Sequence, residues 1–122
     1  MSRILLVDDD TDMLKLMERW FEKAGYEVYT AVSGRDALLT LETVRPDLVL
    51  LDYAMPEMDG LEVLSRIREN EATKDIPALF RTGMEGMETA GIMDGLKPDG
   101  VISKAAGKPQ LLQAVADILK RG

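Results

Sequence analysis

The chain has neither cysteine nor histidine. Without cysteine there are no disulfides, thiol nucleophiles, iron–sulfur clusters or zinc knuckles. Without histidine there is no Ser-His-Asp triad, no haem ligation and no ordinary zinc or copper site, and the chain cannot carry a phosphohistidine. Positive charge is also short: 15 Lys and Arg face 22 Asp and Glu, a net charge of −7. Such a chain is a poor binder of the DNA or RNA backbone by itself, and of an anionic membrane surface. No run of residues approaches the ~18–20 apolar positions of a membrane span, and Met1-Ser2-Arg3 leads straight into an apolar run without a signal peptide. A cytoplasmic location is therefore expected. The groups left for chemistry are carboxylates, hydroxyls and Lys/Arg, so any metal should be a hard, oxygen-liking ion.

The 122 residues, 46% of them apolar, suit one domain spanning 1–122. Short apolar runs alternate with segments of helical period. Ile4–Val7 reads as a strand buried on both faces. Met13, Leu14, Met17, Trp20, Phe21 and Ala24 form one helical stripe, and Gly25 is a candidate left-handed cap. Tyr26–Ala31 is a second strand, Ser33 with Asp36 resembles a capping box, and Leu48–Leu51 is a third strand. A helix carries Leu61, Leu64 and Ile67; Ala78–Thr82 and Gly100–Ser103 are strands, and Pro109 opens a last helix. Glycines at 83, 86, 91 and 95 predict a short or mobile helix between the last two strands, since each interior Gly costs roughly 0.5–1 kcal/mol relative to Ala. Five strands alternating with five helices predict an α/β, doubly wound (βα)5 three-layer sandwich with a five-stranded parallel sheet. In such sheets the site lies at the C-terminal strand ends.

Those ends carry Asp8-Asp9-Asp10, Asp52, Thr82 and Ser103-Lys104. Asp10 and Asp12 read best as helix caps. If Asp8, Asp9 and Asp52 converge, their repulsion calls for a cation, and Mg²⁺ is the simplest solution. Lys104 is the only cation among these strand ends on this reading. A metal and an ammonium around one carboxylate make a site for accepting a phosphoryl group, with Thr82 as a hydrogen-bond donor to it. The ordinary reading of each residue taken alone is a turn former, a cap or a solvated charge; it is their combination at four strand ends that carries weight.

Ile4-Leu5-Leu6-Val7-Asp8-Asp9-Asp10, the segment Leu50–Gly60 with Asp52-Tyr53-Ala54-Met55-Pro56, Ile76–Gly83 and Lys104 with Leu111-Leu112 together resemble the CheY-like receiver domain of two-component response regulators. The resemblance implies a flavodoxin-like fold and a switch rather than a metabolic enzyme. It implies that Asp52 accepts a phosphoryl group from a histidine kinase or phosphotransfer protein. It makes Asp9 and Asp52 direct Mg²⁺ ligands, with Asp8 acting through water and Ala54 giving its backbone carbonyl. Thr82 would grip the phosphoryl group and Lys104 would pair with it or with Asp52. The implied output is a downstream protein or an output domain outside this chain, from a monomer or a weak phosphorylation-dependent dimer.

Departures from the family pattern are informative. Ala105 stands where the family has a cis proline; a cis bond costs ~2.5–4 kcal/mol before a non-proline residue against ~0.5–1 before proline, so a trans Lys104–Ala105 bond is expected. Val101 replaces the aromatic switch residue, and Arg81 before Thr82 is unusual for a central strand, reaching the acidic surface or the switch face, or simply snorkelling. Met84, Met87 and Met93 suit either an adaptable partner surface or plain core filling. The missing Pro and aromatic motivate the alternative of a phosphorylation-independent pseudo-receiver, although Asp8, Asp9, Asp52, Thr82 and Lys104 are all present. A flavodoxin-type cofactor site is disfavoured because the first loop is acidic where a phosphate would bind. A haloacid-dehalogenase-type phosphatase would need an acid where Ala54 stands.

Overall fold

The computed structural model describes residues 2–83 and 98–121. Five parallel strands, β1 (Arg3–Val7), β2 (Glu27–Ala31), β3 (Leu48–Asp52), β4 (Ala78–Thr82) and β5 (Gly100–Ser103), form one sheet in the order β2-β1-β3-β4-β5. Four helices are present among the described residues: α1 (Thr11–Lys23), α2 (Gly34–Thr40), α3 (Gly60–Glu69) and α4 (Lys108–Arg121). The weak helix expected over Gly83–Gly95 lies, but for Gly83, outside the described residues.

The layering follows from strand alternation. Along β1, Ile4 and Leu6 face α1 and α4, packing with Leu14, Met17, Phe21, Leu111, Val115 and Ile118. Leu5 and Val7 face α2 and α3, packing with Ala37, Leu41, Val63, Leu64 and Ile67. Both faces are covered, so β1, β3 and β4 read as continuous apolar runs rather than alternating ones. On α3, Val63, Leu64 and Ile67 are buried and Leu61 is partly buried against them.

Local signals set the element ends. Asp10 caps α1, accepting from the N–H groups of Asp12 and Met13. The sequence predicts Asp12 to be a cap as well, but it lies in the first turn, where its charge complements the helix dipole. At the far end Gly25 (φ 98°) closes a Schellman motif: Gly25 N–H donates to Glu22 C=O and Tyr26 N–H to Phe21 C=O. Tyr26 therefore belongs to the cap, its ring tilted against that of Phe21 at 5.9 Å between ring centroids, and β2 starts one residue later than its apolar pattern implies. Ser33 caps α2 by accepting from Asp36 N–H, while Asp36 reaches back to Val32 N–H rather than to Ser33.

The sheet order places the change of winding direction between β1 and β3, and a crevice opens there at the carboxyl ends. Asp8 follows β1 and Asp52 ends β3, on the two sides of that crevice.

Candidate functional site

The acidic triplet after β1 divides its work. Asp10 serves the helix, and its own N–H donates to Asp8 Oδ1 at 2.9 Å. Asp8 is turned inward, 1% exposed, whereas Asp9 is exposed. Asp52, the last residue of β3, is 2% exposed. Oxygens of Asp8, Asp9 and Asp52 lie within 4.8 Å of one another, which brings together the three expected carboxylates.

The loop that carries Asp52 is pinned from both sides. Tyr53 N–H donates to Arg81 C=O, and Gly60 N–H donates to Tyr53 C=O at 2.7 Å. A Cβ at Gly60 would stand 2.9 Å from the Asp52 carbonyl oxygen and 2.9 Å from Tyr53 Cα, so only glycine allows this approach of α3 to the strand end. Because both neighbours are backbone, Gly60→Ala is expected to lower stability by about 1–3 kcal/mol, measured as a lower urea midpoint. A tight turn follows Asp52, with Met58 N–H donating to Pro56 C=O around Glu57 at φ 68°. Ala54 is exposed at the mouth of this loop.

Lys104, one residue past β5, places Nζ 3.0 Å from Asp52 Oδ1. Its backbone N–H donates to Thr82 C=O at 2.8 Å, tying the lysine to the end of β4. Thr82 is buried and stands in register with Ser103. No cis peptide bond is present among the described residues, so Lys104–Ala105 is trans. The chain instead turns through Ser103, which accepts from Ala105 N–H on its hydroxyl and from Ala106 N–H on its carbonyl. Val101, in the aromatic position, is partly exposed and lies beside Phe80 in register.

Neither buried oxygen of Asp52 has a well-aligned hydrogen-bond partner among the described residues, and its compensation there is the ion pair to Lys104. Burial pushes the Asp52 carboxyl up to about 6; Lys104 pulls it down and Asp8 pushes it further up. A buried carboxylate short of partners, next to two more carboxylates, fits a hard divalent cation with oxygen ligands.

Of the readings the sequence allows for Arg81 (acidic surface, switch face or snorkelling), the structure takes the acidic surface. Lys104 is not the only cation there: Arg81 Nη1 lies 3.3 Å from Asp8 Oδ2, and both side chains are buried. The signal was available in strand alternation. Leu79 packs on the α1/α4 face, so Arg81, two residues on, shares that face; its register partner is Asp52.

A doubly wound parallel sheet with charged groups of both signs gathered at its switch point places the chain in the class of flavodoxin-like α/β proteins. Within that class, the chain belongs to the response regulator receiver domain family, whose model matches residues 4–116. It is a receiver domain of two-component response regulators, a family of signalling switches that typically bind Mg²⁺ through an acidic pocket. It is 34% identical over 123 residues to the DNA-binding dual master transcriptional regulator RpaA of Synechocystis, covering 99% of this chain and 50% of that protein. It is 33% identical over 120 residues to the alkaline phosphatase synthesis transcriptional regulatory protein PhoP of Bacillus subtilis, covering 98% of this chain and 49% of that one. The chain thus spans about half the length of these relatives. Among solved structures, the chemotaxis response regulator CheY4 of Vibrio cholerae superposes with a TM-score of 0.89 at 29% identity, covering 97% of this chain and 98% of that one. The Thermotoga maritima response regulator TrrA, in complex with Mg²⁺-BeF, gives a TM-score of 0.85 at 31% identity, covering 96% and 98%. No helix among the described residues is long and apolar enough to cross a membrane.

Proposed function

We propose that residues 1–122 form one phosphorylation-activated receiver in which Asp52 is the phosphoacceptor. The observation that carries this reading is the buried Asp52 carboxylate, short of hydrogen-bond partners among the described residues and paired with Lys104 Nζ at 3.0 Å. One Asp52 oxygen forms the new O–P bond as the P–N bond of a partner's phosphohistidine breaks. The electron pair leaves on the imidazole nitrogen, which becomes free to take a proton. Lys104 faces the oxygen that would otherwise carry uncompensated charge, and the Thr82 hydroxyl holds the phosphoryl group once it is on Asp52. Asp8, Asp9, Asp52 and the Ala54 carbonyl are the groups that would hold Mg²⁺. When bound, Mg²⁺ supplies positive charge against the phosphoryl oxygens.

The donor is a histidine kinase or a phosphotransfer protein. The output is a changed contact with a downstream protein or with an output domain, in the cytoplasm and without direct nucleic-acid binding by this acidic domain. The protein works as a monomer or a weak phosphorylation-dependent dimer. No metabolic activity is assigned; the chemistry serves the switch alone.

Incubation with acetyl phosphate and with a phosphorylated histidine donor, followed by intact-mass spectrometry, tests this reading. The expected result is a gain of one phosphoryl group that requires Mg²⁺ and is lost in Asp52→Asn. Failure with both donors in the presence of Mg²⁺ would move the assignment to a phosphorylation-independent interaction module.

A further inference from the structure

The pocket holds a second cation that the proposed chemistry does not use. Arg81 leaves a central strand of a sheet covered on both faces, with its side chain only 10% exposed. A buried guanidinium is costly unless paired, and here its partner is Asp8, with Nη1 to Oδ2 at 3.3 Å. The other oxygen of Asp8 accepts from Asp10 N–H, so both are engaged. Three carboxylates therefore face two resident cations, Arg81 and Lys104.

We propose that Arg81 is a built-in counter-cation that competes with the divalent cation for Asp8, so that the Arg81–Asp8 pair weakens cation binding. This rests on the reading of Asp8, Asp9 and Asp52 as the cation site. The physical reason is charge. A divalent ion drawn to carboxylate oxygens within 4.8 Å of one another must enter beside a guanidinium already bound to one of them. It meets like-charge repulsion and an Asp8 oxygen that is occupied. Arg81 thus sets the cation concentration at which the pocket fills. It also keeps the acidic cluster assembled before the cation arrives.

Calorimetric titration of Mg²⁺ into the protein and into Arg81→Met, Asp8→Asn and the double variant tests this. Methionine keeps the apolar stem and removes the charge. Arg81→Met is expected to bind Mg²⁺ about tenfold more tightly, the order expected from removing one nearby like charge. In the Asp8→Asn background the same substitution should change affinity much less, because its effect runs through Asp8. Equal or weaker Mg²⁺ binding by folded Arg81→Met overturns the inference while leaving the cation site standing. Absence of Mg²⁺ binding by every form overturns both. The unaltered protein offers a measurement that does not depend on the variant's folding. The Arg81 Nε–H resonance, assigned through Arg81→Lys, should shift along the Mg²⁺ titration with the calorimetric midpoint, and an unmoved resonance at saturation overturns the inference.

Discussion

Asp52→Asn is expected to stabilise the metal-free fold at neutral pH while removing the group proposed to react. Burial raises the Asp52 carboxyl from 3.8 to about 6, so the folded state holds a proton across that interval that the unfolded state has released. The sign follows directly. A group that binds more protons when folded makes stability fall as pH rises, here from about pH 4 to about pH 6, and the whole penalty is present above that window. Allowing for solvent screening, the penalty at pH 7 is on the order of 1–3 kcal/mol. Asparagine never ionises and escapes the penalty, and Lys104, 38% exposed, keeps access to water when its partner is neutralised. Urea unfolding in chelator at several pH values should therefore show the variant gaining over the parent from near zero at pH 4 to its full advantage by pH 7. Other carboxylates titrate in both proteins and cancel in the difference. Mg²⁺ should narrow the gap, because it stabilises the parent by binding its folded form. A variant that is less stable at pH 7, or a difference independent of pH, would show that Asp52 is not strained in this way.

Phe80→Ala is expected to cost about 3–5 kcal/mol, the range for truncating a fully buried aromatic. Phe80 is 0% exposed in β4, within the cluster that joins the sheet to α2 and α3. Its ring meets Tyr53 edge-on at 5.8 Å between centroids, and it also approaches the site of Gly60. These two residues anchor the loop behind Asp52 through the Gly60–Tyr53 hydrogen bond. The loss should therefore appear both as a melting temperature lower by roughly 10–20 °C for a domain of this size and as faster amide exchange at Gly60 and Tyr53 than elsewhere in the remaining fold. Retained stability, or loosening confined to β4, would contradict the packing described for this loop.

The architecture was legible because its signals are local and repeated. Runs such as Leu48–Leu51 occur where a strand is covered on both faces, and the stripe of Leu14, Met17 and Phe21 has helical spacing. Misreadings arose where a residue's neighbours are set by geometry rather than spacing. Tyr26 looks like the start of a strand but closes a Schellman cap. Asp12 has a capping residue's chemistry, but Asp10 already holds that place. At the site, the convergence of Asp8, Asp9 and Asp52 with Lys104 was readable from their positions at strand ends. For Arg81 the acidic surface is only one of the readings the sequence allows, because its ion pair joins residues 73 positions apart. Only the sheet register, which sets Arg81 beside Asp52 across from Asp8, brings them together.

The central claim is the identity of the acceptor, and chemical trapping tests it most directly. After phosphorylation by acetyl phosphate with Mg²⁺, borohydride reduction converts an aspartyl phosphate to homoserine, which peptide mass spectrometry locates. The account predicts homoserine at position 52 and at no other aspartate. Homoserine at position 8 or 9, with Asp52 intact, would contradict it.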